Sequence, residues 1–129
     1  MNPIEVVAIG CTKNYPGKNY DPLVVAKNFL VNLASGSKHF QYGSVIVSYE
    51  DKGNGLVEFH CINAGGADDL VGAARSSLLE LAKSYEKAVT FYDNPKINSI
   101  AINTGVPVFI SRIDDGEYRT FMAEFNLRS

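Results

Sequence analysis

Cysteine is scarce in this chain and long apolar runs are missing. Cys11 and Cys61 are the only cysteines. Neither has a pair of close ligands beside it, so a stapled secreted scaffold and a cysteine-ligated metal site are both disfavoured. One bridge between them is possible in principle, but a reducing, cytosol-like compartment is the default. The longest apolar runs, Val45-Ile46-Val47 and Leu23 to Ala26, fall far short of the ~20 residues that a membrane span requires. The opening Met1-Asn2-Pro3-Ile4-Glu5 lacks the basic start and apolar core of a signal peptide. No sign of charge dominates either: Lys and Arg total 12 against 14 Asp and Glu, a formal net charge of −2. Binding nucleic acid takes a basic stripe that neutralises phosphates, and none is visible. The two histidines, His39 and His60, have no metal-ligand spacing with Asp, Glu or Cys. There is no Walker loop, no G-x-S-x-G elbow, no repeat and no low-complexity tract. Only Cys11 to Tyr20, with its Pro16-Gly17 turn, reads as flexible.

What remains is a chain of 129 residues that is 46% hydrophobic, most simply a single compact domain over residues 1–129. A domain of that size buries roughly two-thirds of its unfolded surface and needs no staple. Ile4 to Ile9 is a β-branched run that predicts a strand or extended lead-in. Asp21-Pro22 is a helix-start signal, because Asp accepts from free amides and Pro loses nothing in the first turn. Leu23, Ala26, Leu30 and Leu33 then recur at helical spacing, predicting a helix over Pro22 to Ala34. Gly43 to Tyr49 and Leu56 to Asn63 flank a turn from Asp51 to Gly55 and predict a hairpin. Alternation places Val57, Phe59 and Cys61 on one face, Glu58 and His60 on the other. After Ala64-Gly65-Gly66, Asp68-Asp69 opens the strongest helix, with Leu70, Ala74, Leu78, Leu81 and Tyr85 as its stripe and Ala73, Leu79 and Ala82 beside it. The acidic start, with Lys83 and Lys87 near the end, agrees with the helix dipole. A strand over Ala88 to Tyr92, a short helix ending at Gly105, and a hairpin of Pro107 to Ile113 with Tyr118 to Phe125, turning at Asp115-Gly116, complete the chain. This order of strand, helix, hairpin, helix, strand, short helix and hairpin predicts an α+β (mixed α/β) single sheet covered by helices.

Asn94, Ile97, Ala101, Gly105 and Val106 stand in the order N-x2-I-x3-A-x3-G-V. That spacing is similar to the C-terminal signature of the GNAT acyltransferases, N-x2-A-x3-Y-x3-G-F. The element order resembles an abbreviated GNAT fold too, one that lacks one of the two helices before the central hairpin. The resemblance implies a splayed strand, a helix after it and a Gly-aromatic step into the last hairpin. The FYDNP and RIDDGEYRTF stretches are also reminiscent of small GNAT-like proteins of bacteriophages, some of them virion or assembly components.

The resemblance implies a cofactor site for acetyl-CoA at Gly65, Gly66 and Ala67, with Asn94, where backbone amides and a helix N-terminus cradle a pyrophosphate. Asp68 and Asp69 oppose that, since two carboxylates repel a dianion, and a glycine turn with acidic helix capping is the favoured reading. Catalysis in the family needs a base for the amine and an acid for the thiolate. The position of the usual tyrosine is Ala101, which has no proton to give. Tyr92 and Tyr118 are nearby in sequence, though no spacing puts either phenol at the sulfur. Glu58 and His60 are the candidate base, with Tyr118 the remaining catalytic candidate. A polar exposed sheet face explains Glu58 and His60 as well. The expectation is a GNAT-like protein with an eroded catalytic apparatus and no cofactor. It acts through a protein partner or self-association in a host cytoplasm or virion, without nucleic acid, membrane or metal. The alternative is an acetyl-CoA-dependent N-acetyltransferase acting on a small amine or a protein.

Overall fold

The computed structural model describes residues 5–7, 9–10, 24, 27–31, 38–92, 94–113 and 121–128. Six strands form one sheet: β1 (Lys38–Tyr42), β2 (Val45–Gly53), β3 (Leu56–Asn63), β4 (Lys87–Tyr92), β5 (Val108–Arg112) and β6 (Phe121–Asn126). Their spatial order is β1-β2-β3-β4-β6-β5. Every pairing is antiparallel except β3 with β4. A parallel pair needs a crossover, and the long helix Ala67–Leu81 supplies it. The short helix Lys96–Asn103 lies between β4 and β5. A mixed α+β single sheet is what the sequence predicts.

Period-two alternation builds two cores. Val45, Val47, Val57 and Phe59 face the long helix and pack with its Leu70, Ala73, Leu78 and Leu81. Ala101 of the short helix, Ala88, Ala123 and Phe125 join the same cluster. On the opposite face Ile46 and Ile62 meet Val6 and Val7, with Phe29 and Leu30 beside them. Each fully buried Val, Ile or Phe contributes about 1.5–3 kcal/mol relative to exposure.

Several expectations need correction. Residues 5–7 and 9–10 are helical, not a strand. Burial of Val6 and Val7 against Ile46 and Ile62 overrides the β propensity of that run. Residues 24 and 27–31 are helical as expected, so two helical segments precede the sheet and neither is absent. β1 was not anticipated: Phe40 and Tyr42 pack on the core while His39 and Gln41 are exposed. β2 continues through Gly53 with an irregularity between Asp51 and Gly53. The turn narrows to Asn54-Gly55, both at positive φ (56° and 79°), as a two-residue hairpin demands. The long helix stops at Leu81 with no basic residue in its last turn. Lys87 opens β4 instead, and Leu79 points to solvent. The Asp115-Gly116 turn lies outside the described residues.

Candidate functional site

The sheet opens between β3 and β4. Their parallel register holds for three pairs only: Leu56 with Lys87, Val57 with Ala88, and Glu58 with Val89. Beyond Glu58, β3 runs on to Asn63 beside β2, while β4 runs on to Tyr92 beside β6. The two strands therefore part in a V, the feature that the N-x2-I-x3-A-x3-G-V resemblance implies. The loop from Ala64 to Gly66 and the start of the long helix follow directly from β3.

That loop is closed on itself. The Gly65 N–H donates to Asn63 Oδ1 at 2.8 Å. The Gly66 N–H donates to Asp69 Oδ2 at 2.9 Å. Asn63 is buried, and its Nδ2 donates to the Gly66 carbonyl at 2.9 Å. The Ala64 N–H donates to the Ser44 carbonyl at 2.8 Å, which moors the loop to the β1–β2 turn. Packing is tight around Gly65, where a Cβ would run into the Asp69 carboxylate and the Ser44 hydroxyl. An acidic side chain in the first helical turn is also favoured by the dipole. Of the backbone amides expected to cradle a pyrophosphate, those of Gly65 and Gly66 are thus already donating within the chain, while Ala67 is exposed at the first turn of the long helix. Asp68 and Asp69 are both exposed there. The residues present do not fit a phosphate-bearing cofactor at this loop.

At the closed end of the V, His60 Nε2 and Glu58 Oε2 lie 2.8 Å apart. Glu58 is in the last β3–β4 pair, and its side chain is 17% exposed against 41% for His60. The pair shares the sheet face opposite Val57 and Phe59, as alternation predicts. A carboxylate oriented on an imidazole can hold or take up a proton.

Asn94 is exposed and its Oδ1 accepts from the Lys96 N–H at 3.0 Å, an ordinary start for the short helix. Ala101 is buried in the core. Tyr118 lies outside the described residues. A link that sequence reasoning missed joins β4 to the short helix: the Tyr92 hydroxyl donates to Asn98 Oδ1 at 2.6 Å. Tyr92 stacks on Phe121 with ring centroids 5.7 Å apart. Burial raises its phenol pKa. Six residues across a loop give no spacing signal for such a bond.

Cys61, a free thiol on β3 beyond the parting point, is pushed up to about 12 by burial. The folded chain therefore keeps this proton above the unfolded thiol's pKa of about 8.5. Raising the pH past that value favours unfolding, and at neutral pH the thiolate is scarce. In a Cys11→Ser background, iodoacetamide at pH 7.5 should modify native Cys61 at least about a hundredfold slower than the urea-unfolded chain. Equal rates would show that the fold does not shield this half-buried thiol. Among the described residues, no group of three or more His, Cys, Asp or Glu could hold a metal ion, and no helix is long and apolar enough to cross a membrane.

No protein-family model matches the sequence, and no curated protein matches it. Among solved structures the chain is similar to a chimera of the spermidine N-acetyltransferase SpeG from Vibrio cholerae and hSSAT. Identity is 10%, 98% of this chain and 94% of that one are covered, and the TM-score is 0.60. At that identity the likeness is one of fold. Mixed sheet, parting strands and this likeness agree: the chain has a GNAT-like fold.

Proposed function

We propose that this chain is a GNAT-like scaffold whose transferase apparatus is eroded, and that it works through its surface as a structural or interaction protein. The observation that carries the reading is the self-satisfied loop, in which Asn63 and Asp69 take the amides of Gly65 and Gly66. Ala101 at the position resembling the family's tyrosine supports it, because a buried methyl group supplies no proton. The setting we infer is a phage virion or its assembly in the host cytoplasm, which rests on the likeness of the FYDNP and RIDDGEYRTF stretches.

A second reading has its own support. The Glu58–His60 contact stands where the strands part, and a base at that point suits an N-acetyltransferase that takes acetyl-CoA and acts on a small amine or a protein. A thermal-shift titration separates the two. A cofactor at a hundredfold excess over its Kd stabilises a protein by about 2.7 kcal/mol. The expected result is no shift at millimolar acetyl-CoA, while a saturable rise in Tm would give the enzyme reading the advantage.

A further inference from the structure

The two edges of the sheet differ. β1, at one end, exposes Lys38, His39 and Gln41. Charged and polar side chains of this kind discourage strand addition. β5, at the other end, reads Val-Phe-Ile-Ser-Arg, and no described strand lies beyond it. Phe109, its second residue, is 68% exposed. Its own neighbour across the ladder is Glu124 of β6, and among the described residues no apolar partner strand lies on the outer side of the ring. An apolar edge without lysine or a bulge is a template for another strand.

We propose that β5 is a self-association surface, pairing antiparallel with β5 of a second copy about a two-fold axis through Ile110. The strand's own sequence favours that occupant. In this register Ile110 faces its symmetry mate, Phe109 faces Ser111, and Val108 faces Arg112. Arg112, the only charge in β5, therefore never meets itself, and like charges directly opposite one another are what destabilise a strand pair. The small Ser111 leaves room for the two Phe109 rings to approach along the diagonal, a separation that aromatic side chains can span. Two-fold symmetry makes the contact self-complementary and closed. Pro107, which has no N–H, bounds the pairing at its start. A five-residue pairing buries less than a standard stable interface of about 1,600 Å², so affinity on the order of micromolar is expected.

This inference names a partner for the interaction role proposed above and rests on that role; the loop at Gly65 plays no part in it. Its test is sedimentation velocity of the full chain over a concentration series up to about 1 mM, a span that covers micromolar to millimolar Kd. The chain should move from monomer to dimer. Phe109→Lys/Ser111→Lys sets lysines opposite each other twice and should weaken the dimer at least about tenfold, equivalent to 1.4 kcal/mol. Phe109→Lys/Ser111→Glu sets opposite charges there and should restore association, with circular dichroism reporting an unchanged fold in both variants. A chain that stays monomeric throughout, or a dimer indifferent to the two-lysine variant, overturns the pairing. Loss of association in both variants overturns the register. A monomer that also ignores acetyl-CoA leaves the non-catalytic reading in place without this surface, whereas a monomer that binds acetyl-CoA removes both.

Discussion

Phe125→Ala should cost about 3–5 kcal/mol, the largest stability loss expected of a single truncation among the described residues. Phe125 is 2% exposed, and its ring lies 5.8 Å from that of Phe59. Along one row of the sheet the residues are Val57, Ala88, Phe125 and Val108. The small Ala88 on β4 lets the ring of Phe125 reach across to Phe59 on β3. Only three residue pairs join β3 to β4, so this aromatic contact ties the two halves of the sheet beneath the parting point. Against a typical stability of 5–15 kcal/mol, roughly a fifth or more would be lost. Urea unfolding should show a lower midpoint at unchanged slope. A loss below about 1 kcal/mol would mean that Phe125 does not bear on the core as described.

Asn63→Ala should cost about 1–2 kcal/mol, because one side chain satisfies both the Gly65 N–H and the Gly66 carbonyl. For a chain of this length that corresponds to a Tm lower by roughly 3–8 °C. Asn63→Asp keeps an acceptor for the Gly65 N–H but turns the donor at the Gly66 carbonyl into a second acceptor, so its loss should be of similar size. Neither variant should bind coenzyme A, because the Asp69 carboxylate still holds the Gly66 N–H. A wild-type Tm for Asn63→Ala would show that the loop keeps its shape without this side chain.

Much of the fold was legible in the residues, and the gaps have physical causes. The long helix showed itself through Leu70, Ala74, Leu78 and Leu81 at helical spacing, all of them buried. The β2–β3 hairpin and the opposite faces of Phe59 and His60 followed from alternation. The helical residues 5–7 carry the β-branched Val6 and Val7, and only their partners Ile46 and Ile62, far along the chain, decide their conformation. β1 was missed although His39, Phe40, Gln41 and Tyr42 alternate in polarity, a signal too short to stand without its partner strand.

The site was legible in part. Two carboxylates beside the Gly65-Gly66 turn announced repulsion of an anion. The direct bond from Gly66 to Asp69, and the buried Asn63 behind it, depend on how the turn closes after β3, which spacing does not specify. Asparagine two residues before a glycine is the one cue that was present, since its side chain commonly accepts from the backbone two residues on.

The amide resonances of Gly65 and Gly66 report on all of this at once. Nitrogen-resolved NMR spectra would follow their hydrogen exchange and their chemical shifts as coenzyme A is added. If these N–H groups are already spent inside the chain, both are protected in the free protein and stay in place at millimolar ligand. Fast exchange, with both signals moving to saturation as coenzyme A is added, would contradict the account.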